Sequence, residues 1–261
     1  QGIWLPRHGV NFADTPLKAG LAMLPLTLGL FVAGPLSGIL SDRFGARPFA
    51  TGGMIGTAVG FGVLELMPID FSYPVFAVVL FFLGLTMALF GSPNRAAVMN
   101  ALPARHRGAG SGMNSTFQNS AQVLSIGMFF TLMIVGLSAS LPAALNHGLT
   151  QQGVPATVAS HVSHLPPVST LFAALLGYNP IQHLVGPHVL AGVTAHQRAV
   201  LTSRSFFPSV ISGPFKTGLH AALDLAIVVS LLAAAASWVR GGKYHYVEVD
   251  EPLVVPETVA G

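Results

Sequence analysis

Five long apolar runs, separated by short polar punctuation, organise this chain. They are Leu17–Leu40, Phe49–Met67, Tyr73–Met99, Gly108–Leu137 and Thr217–Val239. Each is long enough, at ~1.5 Å per residue, to cross a ~30 Å hydrocarbon core as an α-helix. The fold class predicted is all-α integral membrane, with five transmembrane helices and a long outer loop. Residues 1–16 read as an outer loop and 17–137 as a four-helix transmembrane segment. Residues 138–216 read as a long extracytoplasmic loop, with a short surface helix at Leu171–Leu176. Residues 217–240 form the last helix, and 241–261 a disordered cytoplasmic tail. Pro25 and Pro35 should bend the first span and Pro93 kink the third, since each removes a backbone donor. Gly52, Gly56 and Gly60 recur every fourth residue, as do Gly108 and Gly112; such small-residue stripes predict close helix packing. Gly34-Pro35-Leu36-Ser37-Gly38 offers a similar approach.

Polar residues inside these runs carry the functional signal. Ser111, Ser115, Gln118, Gln122 and Ser125 recur at steps of four, three, four and three, so they share one helical face, with Asn114 at its flank. Polar side chains at membrane depth must meet water or one another. The face reads as the wall of an aqueous substrate cavity, with inter-helix hydrogen bonding as the alternative. His220 and Asp224 are four apart on the last span. Asp224 is an intramembrane acid and so a candidate for proton coupling; the competing reading is an acid wetted by the outer loop or paired with His220. Glu65 and Asp70 read as solvated. Asn94 and Arg95 belong at the inner mouth or the headgroups.

Composition sharpens this picture. Charged residues make up 8% of the chain, against about 25% in soluble domains. The net charge of +3 is small and scattered, which argues against nucleic acid as a partner. There is no cysteine, hence no disulfide or thiolate site. No signal-peptide pattern opens the sequence, and a first residue of Gln leads us to expect a chain that begins inside a longer protein. Six histidines (His147, His161, His164, His183, His188 and His196) fall in the long connection, which lacks Asp and Glu. A His-rich metal-handling loop is the alternative they raise, but the spacing is irregular and no carboxylate or thiolate accompanies it. No nucleophile, base and orienting group form a set, so an enzyme is not expected. No cofactor or metal is implied.

The most concentrated motif is the turn between the first two spans, Gly38-Ile39-Leu40-Ser41-Asp42-Arg43-Phe44-Gly45-Ala46-Arg47-Pro48. Gly45 permits a sharp reversal, and Arg43 and Arg47 favour the cytoplasmic side. With Arg105, Arg107, Arg240 and Lys243 on that same side, the N-terminus is placed outside and the C-terminus in the cytoplasm. The turn resembles the loop signature of the major facilitator superfamily, Gly-x-Leu-x-Asp-Arg-x-Gly-x-Arg/Lys. It matches at Gly38, Leu40, Asp42, Arg43, Gly45 and Arg47, and departs from it at Ala46, where a second basic residue is usual.

Local matches at Gln1–Pro6, Thr15–Gly20, Leu24–Thr27, Ser92–Asn100 and Leu171–Pro180 resemble the fourteen-span drug:proton antiporter branch. The resemblance implies a proton-coupled exporter of small molecules in the cell membrane, working by alternating access. Its partners would be a small-molecule substrate, protons, the lipid bilayer and the missing N-terminal half of the transporter. The chain would correspond to most of the C-terminal half. The loop Gly38, Asp42, Arg43, Gly45 and Arg47 would latch one conformation. An inert truncated membrane protein is the alternative reading.

Overall fold

The computed structural model describes residues 4–164, 166, 168, 169, 173 and 179–239. Five helices long and apolar enough to cross a membrane are found among them, in keeping with the all-α membrane class. A short helix α1 (Trp4–Arg7) and a 3-10 turn (Phe12–Asp14) lead into α2 (Thr15–Ala22) and α3 (Leu24–Phe44). Then come α4 (Ala46–Leu66), α5 (Tyr73–Asn100) and α6 (Arg107–Gln151). The first span is interrupted next to Pro25, between α2 and α3. Pro25 sits in the first turn of α3, where its missing N–H is no loss, and the chain breaks just before it at Met23. Pro35 and Pro93 lie inside α3 and α5.

Helix crossings here close on glycine, two of them with glycine on both sides. Gly29 of α3 and Gly84 of α5 face each other, and their α-carbons line the contact. A Cβ on Gly29 would fall on the Phe81 carbonyl oxygen, and one on Gly84 on that of Leu26. Ser37, fully buried about two turns further along α3, donates to the Ala88 carbonyl across the same interface at 3.2 Å. The second crossing joins α6 to the last helix at Gly136 and Gly218, again backbone on backbone.

The glycine seam of α4 differs by one residue from the expected one. Gly53, Gly56 and Gly60 meet α5 at Thr86, Phe90 and Leu83, whereas Gly52 has nothing within 4 Å. A strict step of four overshoots the 3.6-residue turn, so the packed face follows steps of three and four instead. Thr57 donates to Thr86 at 3.1 Å within this seam. Gly108 and Gly112 are open and form no seam among the described residues.

The largest departure from the sequence reading lies after Leu137. α6 runs on to Gln151, 45 residues in all, or about 68 Å, over twice the hydrocarbon thickness. Leu137, Leu141, Leu145 and Leu149 form a fully buried stripe along this extension. The connection read as a loop carries helices α7 (Ala156–Ser163), α8 (Ile181–Val185), α9 (Pro187–Gly192) and α10 (Ala195–Thr202). The last helix, α11, begins at Phe206 rather than Thr217 and ends at Val239. Val154, Val162, Ile181, Val185, Leu201, Phe207 and Ile211 pack with the leucine stripe into one apolar core. The result is a helical cap built on the protruding ends of α6 and α11.

Polar groups fix the cap's turns. The Asn179 side chain donates to the carbonyls of Leu201 and Ser203 at 2.9 and 2.8 Å and accepts from the Ile181 N–H. Thr194 and Gln197 form a reciprocal capping box at the start of α10. The surface helix expected at Leu171–Leu176 falls almost wholly outside the described residues, as do Arg240 and the 241–261 tail.

Replacing Gly84 with valine should force α3 and α5 apart and lower the thermal unfolding midpoint in detergent, at a cost of about 1–3 kcal/mol for overpacking. Gly52→Ala, with open space around it, should leave the midpoint unchanged. Circular dichroism melts of the two variants check this.

Candidate functional site

The Asp42 turn is as tight as its glycine predicted. Gly45 has φ 91° and ψ 152°, a conformation in which a side chain is strained, and its N–H donates to the Ser41 carbonyl at 2.8 Å. One residue therefore reverses the chain between α3 and α4. Asp42, Arg43 and Arg47 are all exposed around it, while Gly38 packs 3.5 Å (from an added Cβ) off the Ser92 hydroxyl of α5. The Arg47 guanidinium lies over the Trp238 ring of α11, 4.6 Å from its centroid. That contact ties the turn to the last helix of the bundle. Sequence reasoning had no reason to pair these two, since they are separated by most of the chain.

The polar stripe of α6 has no roof in this chain. Ser111, Ser115, Gln118, Gln122 and Ser125 are exposed and Asn114 is half-buried. The other faces of the same stretch are equally uncovered: Phe117 is 70% and Val123 73% exposed. Between Arg107 and Phe130 the helix thus projects beside the bundle, and α6 gains its buried neighbours only from Met133 onward.

Asp224 lies on an exposed face of α11, with no ion pair or hydrogen bond among the described residues. Its expected partner His220 is directed elsewhere. His220 Nδ1 stands 3.5 Å from Oε1 of Glu65 on α4, and both side chains are partly buried. Glu65, read from the sequence as merely wet, is therefore the carboxylate that α11 actually meets. The available signal was its position: it is the one acid in α4.

Glu65 and His220 border a cavity of about 610 Å³ at the end of the bundle opposite the Asp42 turn. The cavity lies at the foot of the cap, between α4, α5, α6, α11 and the Trp4 segment. Its walls are chiefly aromatic and aliphatic. Trp4, Phe71 and Phe76 stack in series, with centroids 5.0 and 4.7 Å apart, and Phe129 meets Phe130 edge-on at 5.7 Å. Lys216 is the remaining charged group in the lining. The sequence reading did not identify this cavity, because its aromatic residues come from five separate segments.

The connection's histidines do not converge. No cluster of three or more His, Asp or Glu side chains suited to a metal occurs among the described residues. His164 is instead occupied locally, its Nδ1 at 2.7 Å from the Ser160 carbonyl.

Five membrane-length helices, a glycine-reversed charged turn and helix crossings made on glycine define a multi-pass helical membrane protein. Residues 2–126 match the family model of the Major Facilitator Superfamily. That match covers just under half of the chain.

Among its relatives is the "Methyl viologen resistance protein SmvA" of Salmonella typhimurium, 32% identical over 142 residues, 53% of this chain and 28% of the relative. The "Uncharacterized MFS-type transporter YhcA" of Bacillus subtilis is 31% identical over 118 residues, 45% of this chain and 22% of its own length. The "Tetracenomycin C resistance and export protein" of Streptomyces glaucescens is 23% identical over 259 residues, 97% of this chain and 42% of that protein. The chain spans less than half the length of each of these relatives. No solved structure matches it.

Gly45→Ala should destabilise the turn by about 1–3 kcal/mol, the usual cost of a side chain in this backbone region. Chemical denaturation of the purified chain in mixed micelles would measure it, with Gly91→Ala, a helical glycine with no atom within 4 Å, as the comparison.

Proposed function

We propose that this chain is the C-terminal part of a proton-coupled exporter of small molecules, working by alternating access with an N-terminal half that it lacks. The observation that carries this reading is the uncovered first half of α6, where a polar stripe runs beside large exposed apolar side chains. A face of that kind is stable in a bilayer when a second helical body covers it and water fills the gap between them. The match of residues 2–126 to the superfamily's model supports the same plan, and two relatives are named for resistance to, or export of, organic compounds. Their names support the drug-exporter branch for this chain as well.

In this reading Ser111, Asn114, Ser115, Gln118 and Gln122 line the substrate cavity, and their hydroxyls and amides offer adaptable hydrogen bonds without fixed charge. The turn of Gly38, Asp42, Arg43, Gly45 and Arg47 holds the cytoplasmic side of one conformation. The Arg47–Trp238 contact supports this role, since it joins the turn to the last helix. Asp224 and His220 carry the coupling proton. The protein sits in the cell membrane with its N-terminus outside and its C-terminus in the cytoplasm.

The test uses the chain joined to its N-terminal half, expressed in a host stripped of its own exporters. Asp42→Asn should lower the export rate about five- to hundredfold, the range of a typical conformational coupling, while equilibrium binding of substrate persists. Gln118→Arg should abolish binding by placing a charge against the cavity. Full export by the Asp42 variant would remove the latch, and unaltered export by the Gln118 variant would remove the cavity assignment.

A further inference from the structure

The cap plays no part in the reading above, and its charge is of one sign. Between Asp70 and Asp224 the sequence contains no Asp or Glu, and every cap helix falls within that stretch. Arg198 and Arg204 are its only Lys or Arg from 138 to 215. Six histidines supply the other basic groups: His147, His161, His164, His183, His188 and His196, all exposed. The arginines stay charged at any physiological pH, whereas histidine gains its charge between about pH 8 and pH 5. Acidification therefore only adds positive charge here, and most of the cap's basic groups respond to it. We propose that the cap is an acid-activated docking surface for a polyanion, a flexible polymer bearing phosphate or carboxylate on each repeat.

The placement of these groups selects the ligand. They are spread over α6, α7, α8, α9 and α10, and no three of the histidines suit a metal among the described residues. Separate exposed cations give a single small anion no cradle, but they suit a long ligand that touches many points. Neighbouring elements leave the added charge unopposed. The cap helices pack chiefly on one another, on α6 and on α11. α6 carries no acid, and the one acid of α11, Asp224, lies about 20 Å along the helix from Ile211 of the cap core. Glu65 of α4 lies at the foot of the cap, but it meets His220. α6 carries the cap on its length from Leu137 to Gln151, about 21 Å, over two Debye lengths at physiological ionic strength. That distance favours a polymer in solution over the headgroups around the spans. Protonation is also compatible with the local contacts: His164 Nδ1 lies 2.7 Å from the Ser160 carbonyl, an acceptor that a charged ring keeps. Arg198 donates to the carbonyls of Leu190 and Ala191 at 2.7 and 3.3 Å, so it belongs to the fold and is left intact in the test.

The experiment uses the whole 261-residue chain in nanodiscs of zwitterionic lipid, with empty nanodiscs as the reference. Rhodamine-labelled linear polyphosphate and polyglutamate are followed by fluorescence anisotropy at about pH 7.5 and about pH 5.5, across the range where histidine charges. At least one polymer should bind above the empty-disc level, about tenfold more tightly at the lower pH, and the tighter of the two names the anion. Raising the salt from about 50 to about 200 mM should weaken binding about tenfold, as expected when two or three anionic groups are neutralised. Replacing all six cap histidines with glutamine should abolish the gain on acidification; their exposure leaves the core untouched. Arg204→Gln should weaken binding by the same factor at both pH values. No excess over empty discs at the lower pH, equal affinity at both pH values, or a gain that survives the six-histidine variant would overturn the proposal. Tighter association with phosphatidylglycerol vesicles than with either polymer, at equal anionic charge, would assign the surface to a membrane and overturn it too. The pH and salt series on the unaltered chain decides this even where a variant fails to fold. Because nothing here requires transport, a negative result leaves the exporter reading untouched.

Discussion

The bundle depends on backbones touching where Gly29 meets Gly84. Lipid is as apolar as leucine, so burying leucine gives little drive for helices to associate within a bilayer. Association comes from close packing and from hydrogen bonds that need short separations. Removing two side chains brings α3 and α5 close enough for the Ser37 hydroxyl to reach the Ala88 carbonyl, and α4 joins through Thr57 and Thr86 by the same device. The Gly136–Gly218 contact repeats it between α6 and α11. The cap uses another device: leucine, valine and isoleucine side chains packed into one apolar core.

The two ends of the bundle share a feature. At one end Arg47 of α4 lies on Trp238 of α11; at the other, Glu65 of α4 meets His220 of the same helix. The α4–α11 pair is therefore clasped near both ends, by a cation on a ring and by an acid on an imidazole. The first clasp holds at any physiological pH, since arginine stays charged, whereas the second gains a charge–charge component only when the imidazole is protonated.

Much of the membrane-embedded part was legible in the sequence. Apolar length marked the five spans, and Gly45 marked the turn, because only a glycine suits φ 91° at a one-residue reversal. The packed face of α4 was legible to within a residue, the error coming from a step of four imposed on a 3.6-residue helix. The cap was not legible. Its leucines at 137, 141, 145 and 149 keep a step of four, but Pro142 and Gly148 interrupt the run and the intervening polar residues resemble loop composition. Pro142 is accommodated inside α6 all the same. The cavity at the foot of the cap was illegible for a different reason: a site assembled from Trp4, Glu65, Phe71, Phe129 and His220 has no local spacing to read.

The placement of polar residues on α6 and α11 connects these points. On α11, His220 turns inward to Glu65 while Asp224, one turn further along, stays on an exposed face. A single helix thus presents His220 to its own bundle and Asp224 away from it. On α6 the whole stretch that bears the polar stripe is uncovered, while Met133 and the leucines at 137, 141, 145 and 149 are buried. An uncovered acid and a run of uncovered hydroxyls and amides would be costly against lipid and inexpensive against water or a second protein body. The inward-facing groups therefore belong to the stability of this bundle, whereas the outward-facing ones have their physical rationale in whatever the bundle meets.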